Sequence, residues 1–244
     1  MTATTKPLTT DSGKSHRVRL LRVGLVCAVI AAGVLLWTEV LRDRLVAKRW
    51  GVVEAGRIYR SGQLSRHLVE SQLKAHGIRV VVDLMGDDPG NREQPFEREA
   101  ISRLGIELVR CPLIGDGTGD IREYARAITA IERARQAGKP VLVHCYAGSQ
   151  RTGGVVAMYR LLVRGEPIDS ILAELPRYDW RPHRDRVLLE YLDKHLHELV
   201  ALLNAEGLVV RQGVAYPSLV ELQYGSPRQP VTNTAGHDAG SAQR

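Results

Sequence analysis

Beyond residue 50 the chain alternates between short runs of β-branched and apolar residues and longer stretches with helical spacing. Residues 57–60 predict a short strand that stops at the turn Ser61-Gly62. In 64–76, Leu64, Leu68 and Leu73 recur at intervals that suit a helix, and Gly77 supplies its stop. Residues 78–84, Ile-Arg-Val-Val-Val-Asp-Leu, are mostly apolar and β-branched, the mark of a strand covered on both faces. A loop with Gly86, Pro89 and Gly90 leads into a helix over 92–104, closed by Gly105, and then into a strand over 106–111. A helix over 120–136 precedes an apolar strand over 140–144 that runs directly into Cys145. Three further helices are expected over 153–163, 167–175 and 184–203. This alternation implies an α/β domain over residues 50–205, with a central, mostly parallel sheet flanked by helices. Sites in such sheets lie at the carboxyl ends of strands, which is where Cys145 falls. From 225 to 244 the chain is polar and rich in Gly, Pro, Ser and Gln, which predicts a disordered tail.

The N-terminal pattern is different. Residues 23–37, VGLVCAVIAAGVLLW, hold no charge, and Leu20, Leu21, Val40 and Leu41 extend the apolar character to 20–41. Behind the basic tail 1–19 this reads as a transmembrane anchor, since about 20 apolar residues cross the hydrocarbon core. Arg22 and Arg42 are placed to snorkel and Trp37 suits an interface. A cleaved secretory signal is the competing reading, but no small-x-small cleavage pattern follows Trp37. The expectation is therefore a single-pass membrane protein. Basic residues on both sides nearly balance, and the short basic N-terminus tilts the domain towards the outside of the cytoplasm.

Charge supports this division. The formal net charge is +7, and residues 1–49 contain nine Lys or Arg against three Asp or Glu, so the rest of the chain is close to neutral. The basic balance belongs to the N-terminal segment and implies no nucleic-acid partner. The three cysteines, Cys27, Cys111 and Cys145, are too few for a disulfide framework, and none sits at zinc-binding spacing. Cys27 lies in the apolar run, while Cys111 ends a predicted strand, as a packing residue or as a redox partner for Cys145.

The run His144-Cys145-Tyr146-Ala147-Gly148-Ser149-Gln150-Arg151-Thr152-Gly153 sits between a buried strand and a helix. Five residues between Cys145 and Arg151 suffice for a loop whose N–H groups turn inward, an anion nest backed by the positive end of the helix. Gly148 allows the curl. The same field favours a Cys145 thiolate over an inert thiol. Arg151 brings a planar fork for two phosphoryl oxygens, and Thr152 a hydroxyl for the sulfur.

His-Cys, five residues, Arg and then Thr resembles the signature of the protein-tyrosine and dual-specificity phosphatase superfamily. Ile58-Tyr59-Arg60-Ser61-Gly62-Gln63 and residues 77–84 are similar to the opening of its bacterial and fungal atypical dual-specificity group. The likeness covers roughly residues 57–197. It implies a phosphatase-like fold and a phosphocysteine mechanism without metal or cofactor. Cys145 is then the nucleophile, Arg151 and Thr152 are its catalytic partners, and Tyr146, Ala147, Gly148, Ser149, Gln150 and Arg151 bind the phosphoryl group. The leaving oxygen needs a proton donor. Asp116, 29 residues before Cys145, and Asp120 are the candidates; Asp120 also reads as a helix cap, which favours Asp116. Tyr146, Ser149 and Gln150 are uncharged, and Met85 stands where many relatives carry arginine. Both features point to a phosphorylated protein or another simple phosphomonoester rather than a polyanionic inositol phosphate or phosphoinositide. Rival readings are a phosphoinositide or inositol phosphate phosphatase, a catalytically idle phosphate-binding module at the membrane, and a sulfur-transfer enzyme of the rhodanese type.

Overall fold

The computed structural model describes residues 12–37, 41–208 and 216–225. Within them, strands β1 (Gly51–Glu54), β2 (Ile58–Gly62), β3 (Val80–Asp83), β4 (Glu107–Arg110) and β5 (Val141–Cys145) form one sheet in the order β1-β2-β5-β3-β4. β2, β5, β3 and β4 run parallel, as the alternation of elements predicts. The sheet is mixed, however, because β1 pairs antiparallel with β2 along the edge.

Burial on both faces explains the apolar strands. Val80, Val82, Val141 and Val143 point into the larger core, with α5 (Ile121–Gln136), α6 (Gln150–Met158) and α8 (Arg186–Ala205). Val81 and Leu142, one residue out of phase, meet α3 (Val69–Ala75) and α4 (Gln94–Arg103) on the other face. Gly77 and Gly105 end α3 and α4 with φ of 62° each, a left-handed conformation that costs glycine least. α6 continues into a π-helical turn, Tyr159–Arg164. α7 (Ile168–Glu174) runs into a 3-10 turn, Leu175–Tyr178. The last described helix, α9 (Leu219–Tyr224), is tied to α8 by Asp193, which accepts from the Ser218 hydroxyl and from the Leu219 and Val220 N–H groups.

The expected transmembrane helix over 20–41 is not borne out. Among the described residues no helix is long and apolar enough to cross a membrane. α1 (Ser12–Leu36) and the short α2 (Arg42–Leu45) occupy this region. The uncharged part of α1, residues 23–36, rises only about 21 Å at 1.5 Å per residue. That falls short of a hydrocarbon core of about 30 Å. Residues 1–11 and 226–244, which contain most of the two expected tails, lie outside the described residues.

Candidate active site

Cys145 closes β5, the central strand, and is 1% exposed. The chain then turns through residues 146–149 into α6. Three carbonyls of this turn bond outward: Tyr146 O accepts from the Gln63 N–H at 3.2 Å, Ala147 O from Arg49 Nη1 at 2.7 Å and Gly148 O from Arg60 Nη2 at 3.1 Å. With those oxygens turned away, N–H groups are left for the concave side, and the Gly148 N–H donates to Cys145 Sγ at 3.1 Å. Gly148 has a φ of 79°, and a Cβ there would come within 2.4 Å of the Gly62 nitrogen. Only glycine fits both the turn and the close approach to β2.

Arg60 braces this loop from behind. It is 1% exposed, pairs with Glu174 Oε1 at 3.1 Å and stacks on the Tyr178 ring 3.6 Å from its centroid. Such a guanidinium in a buried strand was visible in the sequence; its bond to the loop, 88 residues away, was not.

Burial, the largest influence on Cys145, opposes ionisation. The Thr152 hydroxyl, the Arg151 charge and the Thr152 and Gly148 N–H groups together outweigh it and hold the thiol below its ordinary pKa. Arg151 donates from Nη1 to Leu84 O at 3.4 Å, while its buried Nε has no partner. A guanidinium N–H left unpaired inside a protein is costly unless a ligand oxygen meets it. Cys111, by contrast, is pushed up to about 11, chiefly by burial, so it is a poor thiolate; both cysteines are free thiols.

His144 precedes Cys145 in β5, with Nε2 3.1 Å from Glu97 Oε1. Burial would lower its pKa, but Glu97, Asp83 and Cys145 raise it to about 9. The ligand atoms of Asp83, Glu97 and His144 lie within 4.8 Å of one another, a grouping that could hold a metal ion. Asp83, however, already accepts from the Met85 N–H at 2.9 Å and pairs with Arg110 at 3.2 Å. Asp83 is thus held by partners of its own, and His144 and Glu97 stand beside it as a buried ion pair.

The candidate acids lie in the loop between β4 and α5. Asp120 caps α5, accepting from the Arg122 N–H at 2.9 Å, and its carboxyl is held below the ordinary range, first by that N–H and then by the Arg122 side chain. Asp116 also has local bonds: Oδ1 accepts from the Thr118 N–H at 2.9 Å and hydroxyl at 2.8 Å. Two tyrosines fasten this loop from below. The buried Tyr124 hydroxyl donates to Gly117 O at 2.5 Å, and Tyr191 donates to Gly119 O at 3.0 Å. Gly154 makes room for Tyr124, since a Cβ there would sit 2.5 Å from its hydroxyl oxygen. Tyr124 stays protonated, its pKa raised well above normal by burial, by Tyr191 and by the negative charges of Cys145 and Asp116. No periodicity singles out either tyrosine for this task.

Comparison with known proteins agrees with this geometry. Among curated proteins, a dual specificity protein phosphatase of monkeypox virus is 34% identical over 65 residues, a match covering 26% of this chain and 38% of the relative. The chain thus spans well under two thirds of the length of these viral relatives. TpbA, a dual specificity protein phosphatase of Pseudomonas aeruginosa, is 28% identical over 66% of this chain and 72% of its own length. In fold, the crystal structure of P. aeruginosa TpbA matches with a TM-score of 0.51 at 23% identity, over 66% of this chain and 91% of that one. The core catalytic domain of the PP-IP phosphatase SIW14 from S. cerevisiae matches with a TM-score of 0.50 at 18% identity, over 67% and 98%. A family model described as DSP-PTPase phosphatase fused to NAD+ kinase matches residues 37–181. With more than half of its length matched, and with the cysteine loop at the end of its central parallel strand, the chain belongs to this DSP-PTPase phosphatase family.

Proposed function

We propose that the protein hydrolyses phosphomonoesters through a phosphocysteine intermediate on Cys145, acting on phosphotyrosine or with dual specificity on phosphorylated proteins. The observation that carries this reading is the loop itself. Its carbonyls are tied outward, an N–H rests on the Cys145 sulfur, and Arg151 Nε is buried without a partner. The names of the P. aeruginosa and viral relatives, both dual specificity protein phosphatases, support the substrate class.

In the first step the Cys145 thiolate attacks phosphorus. An S–P bond forms, the P–O bond to the leaving group breaks, and Asp116 gives that oxygen its proton. In the second, Asp116 takes a proton from water as its oxygen attacks phosphorus, and the S–P bond breaks to release phosphate and thiolate. Loop N–H groups and Arg151 hold the equatorial oxygens through both steps, where most transition-state stabilisation arises. Thr152 steadies the departing sulfur. Asp116 is the better acid because Asp120 is held as an anion by Arg122.

The test is hydrolysis of an aryl phosphate by the chain and by Cys145→Ser. A loss of at least about 10³-fold in the variant is expected, since the nucleophile is removed. Equal turnover in both would sink the mechanism. Phosphopeptide binding with no turnover in either would establish the idle binding module instead.

A further inference from the structure

Two of the three carbonyl ties on the phosphate loop come from side chains, Arg49 to Ala147 O and Arg60 to Gly148 O. Both arginines are in turn held by one short segment that the chemistry above does not use. Glu174, the last residue of α7, binds Arg60 Nη1 at 3.1 Å, and Tyr178 stacks on the same guanidinium. Asp179, which follows the 3-10 turn, binds Arg49 Nη2 at 2.5 Å. Residues 174–179 therefore reach two successive carbonyls of the loop through ion pairs that join residues 114 and 130 positions apart.

The two carboxylates are arranged alike. Each places one oxygen on a loop-holding arginine and the other on an outer arginine: Glu174 on Arg60 and Arg160, Asp179 on Arg49 and Arg181. The segment between them is fixed in the larger core by Leu175 and Trp180, 3% and 1% exposed. Trp180 donates from its N–H to Leu175 O at 3.3 Å and from its indole nitrogen to Asp185 O at 3.1 Å. Gly153 on α6 leaves space for this packing, since a Cβ there would lie 3.2 Å from Leu175 Cδ2 and 3.8 Å from Arg60 Nη2. Arg49 and Asp179 are also the two non-glycine residues with left-handed backbone among those described, with φ of 47° and 64°. Such conformations persist where the surroundings enforce them, commonly at functional sites. A guanidinium on a long side chain loses much rotamer freedom when it holds a single carbonyl, and a fixed carboxylate behind it offsets that cost.

We propose that residues 174–179 form a positioning clamp for the phosphate loop, in which Glu174 acts through Arg60 and Asp179 through Arg49 to keep the Gly148 and Ala147 carbonyls outward and the N–H groups facing the Cys145 sulfur and a phosphoryl group. The phosphoryl part rests on the phosphatase reading above; the sulfur part rests on geometry alone. Without the clamp the carbonyls are free to turn, and each one that turns inward replaces a donor with an acceptor beside the thiolate.

The test measures the apparent pKa of Cys145 in the full chain, from the pH dependence of iodoacetamide labelling read on the Cys145 peptide by mass spectrometry, together with aryl phosphate turnover. The charged and titratable groups around Cys145 are Arg151 on α6, Arg60 on β2, Tyr124 on α5 and His144 on β5, the last paired with Glu97 of α4 beside Asp83 of β3. All of them remain in every variant. Glu174→Ala and Asp179→Gly should each raise the apparent pKa by about one unit and lower kcat/KM about tenfold. Glycine suits a φ of 64°, so Asp179→Gly removes the carboxylate without backbone strain and carries the test if Glu174→Ala fails to fold. Glu174→Gln keeps an acceptor for Arg60 and should restore most of the loss. A carboxylate that acted only through its charge would lower the pKa on removal, and equally in Glu174→Ala and Glu174→Gln. That outcome, or an unchanged pKa in Asp179→Gly, overturns the clamp. Arg181→Ala removes the outer partner of Asp179 and should leave labelling and turnover within about twofold. A shift as large as that of Asp179→Gly would trace the effect to surface charge and overturn the proposal. Absent turnover in the parent chain alongside the expected labelling shifts would refute the phosphatase reading and leave the clamp standing.

Discussion

The two loops to which the proposed chemistry falls are built on opposite plans. The loop from Cys145 to Arg151 is embedded: Cys145 and Thr152 are buried, and three successive carbonyls are held by the Gln63 N–H, Arg49 and Arg60. The loop around Asp116 is exposed and is bonded mainly to itself, through Ile114 to Thr118 and Gly117 to Ile114, with two tyrosine hydroxyls beneath. A thiolate must be fixed and shielded, because its reactivity depends on donors that do not move. A proton donor must meet a leaving group and then water, which requires a surface position.

The largest effect should come from breaking the embedded loop. Gly148→Ala meets both a left-handed backbone and the Gly62 nitrogen, so it should cost on the order of 3 kcal/mol in denaturant unfolding. It should also leave under about 1% of aryl phosphate turnover. A stable, active Gly148→Ala protein would show that the loop yields as easily as its neighbour.

On the exposed loop, Asp116→Asn should lower kcat for phosphate esters with poor leaving groups by about 10² to 10³. Asp120→Asn should leave kcat within about threefold and stability within about 0.5 kcal/mol, because asparagine caps a helix about as well as aspartate. The reverse ranking would move the acid to Asp120.

Under the embedded loop, His144 links stability to pH. Its folded pKa of about 9 exceeds the ordinary 6.5, so folding favours the protonated ring. That stabilisation is complete below about pH 6.5 and is lost as pH rises through about 9, a change of a few kcal/mol. Cys145, whose pKa is lowered, acts in the opposite sense over part of this range, so the measurement belongs on Cys145→Ser. Unfolding free energy that stays flat or rises from pH 6.5 to 9 in that variant would contradict the buried ion pair.

The smallest effect sharpens the comparison most. Tyr124→Phe removes one bond below the acid loop and should cost about 1 kcal/mol. It should slow turnover roughly tenfold for poor leaving groups and little for good ones, since only the former need the proton. An equal loss for both would mean that Tyr124 supports the phosphate loop instead.

Features set by neighbours along the chain were legible without a structure. The cysteine loop is one continuous run, so its spacing alone dictates an anion nest at the end of a buried strand. The stops at Gly77 and Gly105 and the cap at Asp120 are equally local. Tertiary structure decided what depends on contacts between distant residues. Arg49 reaches Ala147 across 98 positions and Arg60 reaches Gly148 across 88, and neither pairing leaves a periodic trace. The antiparallel edge strand β1 was unforeseen for the same reason, its residues being too few to display a period. Composition placed a membrane helix over 20–41, whereas no described helix is long and apolar enough to span. The uncharged rim read from Tyr146 to Gln150 was only half of the rim. Folding brings Arg49, Arg181 and Arg184 to its other side, because charge along a chain is a local property and charge around a site is not.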